Sequence, residues 1–116
     1  MGNDATAYMN IDEALARVRG NKKLYKRMLQ MFLQSAELPA LEEAFAAQDY
    51  PRAAELAHAI KGMTGNLSLT CLFDISVQLM GQLREGAPDP VAVELYHDAL
   101  EKTRECVTNA IETMED

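Results

Sequence analysis

The sequence contains no tryptophan and only three phenylalanines and four tyrosines. A core made from it must rest on Leu, Ile, Val, Met and Ala, which helices accommodate well. Runs of β-branched residues are scarce too, so the composition points to an all-α fold. The two cysteines, Cys71 and Cys106, lie far apart and form no CxxC pair. That argues against a disulfide framework or a zinc motif, and both are expected as small residues of the core or its flank. No apolar run approaches the roughly 18 residues that cross a bilayer, and no signal-peptide pattern opens the chain. A soluble, cytoplasmic protein with no membrane partner is expected. No Gly-rich phosphate loop marks a nucleotide site, and no Ser-His-Asp or Cys-His arrangement is visible. Basic charge is in short supply: the formal net charge is −7. An acidic surface repels phosphate backbones, so no nucleic-acid partner is expected.

What is present is helical periodicity. A chain of 116 residues fits a single domain. Residues 1–9 read as a flexible N-terminal tail, and residues 10–116 as one helical domain. Asn10, with Glu13 three residues on, resembles a capping box opening a short helix that carries Ile11, Leu15 and Val18. Gly20-Asn21 ends it, and Asn21 can cap a helix from about Lys22 to Ala36 with Tyr25, Leu29, Phe32, Leu33 and Ala36 on one stripe. Pro39 either kinks that helix or starts a new turn, and the pattern resumes through Leu41 and Phe45. Gln48-Asp49-Tyr50-Pro51 reads as a break, with Pro51 in the first turn of a helix reaching Gly65 or Leu67. Ser68 is a candidate N-cap for the next helix, whose inner face holds Leu72, Ile75, Ser76, Leu79 and Leu83. After the turn Glu85-Gly86-Ala87-Pro88-Asp89, a last helix starts at Pro90, with Tyr96, Ala99, Leu100, Thr103, Val107, Ala110 and Met114 along one side. Together these predict an antiparallel four-helix bundle with a short additional N-terminal helix.

Residues 57 to 67 carry the chemistry. On a helix, Leu56, Ile60, Met63 and Leu67 cluster as the core stripe. His58 lies nearly opposite, with Lys61, Gly62 and Gly65 beside it at i+3, i+4 and i+7. Each interior glycine weakens a helix by about 1 kcal/mol relative to alanine. Two of them beside a histidine clear the surface for another protein to approach. A solvated imidazole is largely neutral at pH 7, and a neutral ring nitrogen is a competent nucleophile toward phosphorus. Lys61 can offset the charge of an added phosphoryl group. Geometry alone leaves a second reading open, an incidental surface histidine on a non-catalytic helical adaptor.

His58-Ala59-Ile60-Lys61-Gly62, followed by Leu67, resembles the H-x-[LI]-K-G-x-x-x-x-[LI] signature of histidine phosphotransfer (HPt) domains, and the order of elements resembles that family from about residue 10 to 115. The resemblance implies that His58 is the phosphorylated residue, Lys61 its cationic neighbour, and Gly62 the small residue that admits a receiver domain. It implies response-regulator receivers as partners, a hybrid histidine kinase as a further one, and Mg²⁺ held by the receiver, with no cofactor of the chain's own. The chain would be a phosphoryl carrier rather than an autonomous kinase, and a monomer. Excision from a hybrid sensor kinase and direct phosphorylation by a kinase module remain alternatives. Family members also place a polar side chain from the following helix near the histidine; Gln78 and Gln82 are the candidates, with Glu55 three residues before it. On the second helix Leu24, Met28 and Met31 fall off the core stripe, and Met28 and Met31 are candidates for receiver docking. The chain departs from the family at Ser68-Leu69, where Gly-Ala is common, and at Met63, where a small residue is common. His58, Cys71, His97 and Cys106 follow no metal-ligand spacing, and His97, near Glu101, is expected to be a surface residue.

Overall fold

Side-chain caps decide where most of the helices begin. The computed structural model describes residues 8–114, and six helices occur among them: α1 (Ile11–Arg17), α2 (Lys22–Leu33), α3 (Glu37–Ala46), α4 (Tyr50–Leu67), α5 (Thr70–Arg84) and α6 (Pro90–Thr113). The Asn10, Asn21, Asp49 and Asp89 side chains accept from the backbone N–H groups of Glu13, Leu24, Arg52 and Val91. Each satisfies a donor that the first helical turn leaves unpaired. Pro51 and Pro90 sit in first turns, where a missing N–H costs nothing.

The predicted second helix divides. It stops at Leu33, and α3 begins at Glu37. A continuous helix would drive the Pro39 ring against the carbonyl of Ser35. Instead the Ser35 hydroxyl donates to Glu37 Oε1 at 2.6 Å and accepts from Glu37 N at 3.3 Å, so the turn closes on itself. Pro39 thereby starts a new helix rather than kinking the old one.

α4 packs against α3 and α5, α6 against α5 and α2, and α2 against α4. The α2–α3 pair forms one strut and α4, α5 and α6 the others, so the fold is an all-α antiparallel four-helix bundle with α1 added at one end. The core includes Tyr25, Leu29, Phe32, Leu38, Leu41, Ile60, Leu72, Leu79, Tyr96 and Val107. The predicted inner faces of α5 and α6 are buried, apart from a half-buried Met114. Leu33 is half-buried and Ala36 exposed, because the chain leaves the helix there. Met9, assigned to the tail on sequence, is 2% exposed and belongs to the core. Residues 1–7 of that tail lie outside the described residues. Both cysteines are free and half-buried.

Ser68 does not cap α5. It is the C-cap of α4, in the left-handed conformation (φ 57°, ψ 41°) that usually selects glycine. Three contacts hold it there. Its hydroxyl accepts from Arg17 at 2.7 Å and donates to Glu13 Oε1 at 2.6 Å, and its carbonyl accepts from Asn10 N at 2.8 Å. Arg17 also donates to the Asn66 carbonyl at 3.0 Å, so α1 is clamped over the α4–α5 turn. Glu13 therefore answers Ser68 and Arg17 instead of completing a capping box. Tyr25 ties α2 to the same turn by donating to the Leu67 carbonyl at 2.9 Å. Burial pushes the Tyr25 phenol up to about 12.

Two outcomes follow for this turn. Ser68→Ala keeps the left-handed backbone and loses the hydroxyl contacts, so urea denaturation should show a loss of about 1–3 kcal/mol; Ser68→Gly, freed of the Cβ penalty, should lose less. Equal losses would contradict the assignment. The Ser68 hydroxyl, seconded by the Arg17 charge, holds the Glu13 carboxyl below its ordinary range. A group depressed on folding stabilises above its unfolded pKa and loses that contribution as pH falls through the folded value. The stability gap between wild type and Glu13→Gln should therefore close as the pH falls below about 4.3; a gap independent of pH would contradict the contact.

Candidate functional site

α4 is buried along Ala53, Ala57, Ile60, Thr64 and Leu67. This stripe is rotated from the predicted one: Leu56 and Met63 are half-buried on its flank. Small Ala53 and Ala57 fill the centre because α3 and α5 pack closely on either side. His58 still falls on the outer face and is exposed, with exposed Ala59 and Gly62 nearby and a half-buried Lys61. Neither His58 nor Lys61 makes a side-chain hydrogen bond or ion pair among the described residues. An imidazole without an internal partner keeps both ring nitrogens available to an incoming molecule.

The two glycines separate in role. A Cβ on Gly62 would meet nothing within 4 Å, so its missing side chain leaves open surface. A Cβ on Gly65 would lie 3.1 Å from Phe73 Cε1. Gly65 therefore serves the close approach of α5 to α4, rather than clearing a path to the histidine as its spacing suggested.

That contact also fixes which face of α5 meets this side of α4. Val77 and Met80 follow Phe73 at i+4 and i+7, placing them on the same face. In an antiparallel pair, residues seven before Gly65 and seven after Phe73 stand at about the same level, which sets Met80 opposite His58. Met80 is buried and Val77 is 44% exposed, so the helix offers apolar surface here. Gln78 and Gln82 point elsewhere. Gln78 lines a groove with Leu95, Asp98 and Lys102 of α6. Gln82 accepts from the backbone N–H of Asp89 at 2.7 Å, where it steadies the turn into α6. Among the described residues neither glutamine makes a hydrogen bond to His58. Glu55 is exposed and makes no side-chain hydrogen bond or ion pair among the described residues.

Met28 and Met31 line a groove of about 340 Å³ with Phe32, Met63 and Leu67, and Ser35, Glu37 and Asn66 supply its polar lining. Met31 is 65% exposed and Leu24 42%. Met63, set down on sequence to the core, completes this methionine-lined surface. Its spacing from Gly62 was visible; its side-chain direction depends on the rotation of the buried stripe. His97 pairs with Glu42 of α3 at 2.7 Å, not with Glu101, and its ring lies 6.0 Å from Tyr96. It joins two struts at the surface. No group of three or more His, Cys, Asp or Glu side chains suited to a metal ion occurs among the described residues, and no helix among them is long and apolar enough to cross a membrane.

The site is thus an exposed histidine on a helical bundle, without a side-chain partner among the described residues and followed by lysine and an open glycine. The family model of the Hpt domain matches residues 27–113, and the chain belongs to that family. Hpt domains act in histidine phosphotransfer within two-component phosphorelays. No curated protein and no solved structure gives a significant match.

Glycine substitution separates the two positions. Gly62→Ala should raise stability toward urea by up to about 1 kcal/mol, since it improves helix propensity without a clash. Gly65→Ala should gain less or lose, because Phe73 must move. Equal gains would contradict the close α4–α5 contact.

Proposed function

We propose that this Hpt domain relays phosphoryl groups through His58. A ring nitrogen attacks the phosphorus of an aspartyl phosphate on a receiver domain. The P–N bond forms as the P–O bond breaks, and its electron pair returns to the receiver carboxylate. The reverse transfer delivers the group to another receiver. The observation that carries this reading is the exposed, unpartnered His58 within His58-x-Ile60-Lys61-Gly62, opposite the buried face of α4.

Lys61, one turn along the helix, offsets the charge that phosphorylation adds. Gly62 leaves room for the receiver's backbone above the imidazole. Met28, Met31 and Met63 supply the apolar contact that holds the receiver in register, their unbranched side chains adapting to its shape. Mg²⁺ and most of the transition-state charge stabilisation come from the receiver. The chain acts as carrier and substrate, as a monomer in the cytoplasm, and it is charged by a receiver rather than by nucleotide.

His58→Gln should abolish acid-labile, base-stable labelling by a phosphorylated receiver while circular dichroism remains helical. Gly62→Glu should suppress transfer from the receiver at least tenfold yet leave labelling of His58 by phosphoramidate intact, because a small donor needs no docking clearance. Labelling that survives His58→Gln would refute the relay role.

A further inference from the structure

Six of the eleven cations lie between Arg17 and Arg27, and no carboxylate occurs between Glu13 and Glu37. The remainder of the chain holds all eighteen acids against five cations, so the molecule is sharply bipolar. Part of the basic segment is committed to the fold: Arg17 clamps the α4–α5 turn, and Lys26 donates to the Met114 carbonyl at 3.2 Å. Lys23 and Arg27 are exposed and make no ion pair or hydrogen bond among the described residues.

Their position gives them a use. On α2 they stand at i and i+4, on the solvent side of Leu24, Met28 and Met31, which themselves follow an i, i+4, i+7 stripe. Lys23 and Arg27 therefore stand as a cationic flank on the solvent side of the Met28–Met31–Met63 groove, whose own lining carries one charged side chain, Glu37. α2 runs antiparallel to α4, since Tyr25 meets Leu67 while Met31 and Phe32 share the groove with Met63. This register puts Lys23 and Arg27 about 10–16 Å along the bundle axis from His58, at a rise of about 1.5 Å per residue. That span suits about two to three turns of a partner helix laid beside the histidine.

We infer that Lys23 and Arg27 are specificity-determining residues of the docking surface, selecting receivers whose apolar docking helix carries carboxylates along its outer flank. The inference rests on the relay reading of His58. Carboxylates on that flank meet Lys23 and Arg27 while the helix's apolar face enters the methionine groove. The remainder of this chain is acidic, Glu37 in the groove included, so an orientation that brings the carboxylates to Lys23 and Arg27 is favoured over the others. Such long-range attraction acts on association rate and is screened by salt.

The test uses the intact chain and a panel of receiver domains whose docking helices differ in flank charge, each phosphorylated by acetyl phosphate. Transfer to wild type and to a Lys23→Glu/Arg27→Glu variant is followed at about 20 and 300 mM salt. Acid-flanked receivers should react with wild type at least tenfold faster than basic-flanked ones at low salt. The double reversal should remove or invert that preference, and high salt should narrow the difference. Rates indifferent to both the reversal and salt would overturn the inference. So would a reversal that changes only self-association or binding to anionic vesicles, since the basic pair would then serve a second copy or a membrane surface. Phosphoramidate labelling of His58 separates the two claims: its absence in the folded protein refutes the relay, while labelling that persists with an unselective basic pair refutes only the selector.

Discussion

The burial of one face of α4 is the constraint on which the remaining arrangement depends. Ala53, Ala57, Ile60, Thr64 and Leu67 are all at most 3% exposed, and together they fix the rotation of the helix against α3 and α5. Turning α4 by one residue would put Lys61 or His58 toward the core, where burying an unpaired charge or an unsatisfied imidazole costs several kcal/mol. Alanine at the centre lets the neighbouring helices approach, and Gly65 extends the close fit to Phe73 of α5. The histidine is therefore presented by the packing behind it, without a hydrogen bond of its own to hold it.

The far end of α4 shows how a distant segment secures this helix. Ser68 takes a conformation that favours glycine, and the cost is offset by contacts from Glu13, Arg17 and Asn10, more than fifty residues earlier. α1 is thus a clamp on the α4–α5 hairpin more than a lid over the core. With the hairpin's turn fixed, α5 has a fixed register against α4, and its Val77–Met80 face lies beside the proposed acceptor. The polar ends of Gln78 and Gln82 turn toward α6.

Much of this was legible because local chemistry determines it. Asn10 and Asn21 cap the helices they were expected to cap, and the inner faces of α5 and α6 follow the 3.6-residue period. The exposed position of His58 followed from the same periodicity. Features that depend on distant partners were not legible. Ser68 looked like an N-cap because its stabilising residues lie in another helix, and the glutamines looked available because the direction of α5 side chains depends on how α6 packs. The α4 stripe was read through its large residues, whereas close packing buried the small ones. Pro39 offered two readings, and the Ser35–Glu37 hydrogen bonds selected the new helix.

The relay turns on one atom's acquisition of a phosphoryl group. It is tested most directly by incubating the folded protein with a phosphorylated receiver and mapping the phosphate by tandem mass spectrometry under mildly alkaline conditions, where phosphohistidine survives. A single phosphoryl group should be found on His58, with His97, held by Glu42, unmodified. Phosphate on His97 or on a carboxylate, with His58 unmodified, would contradict it.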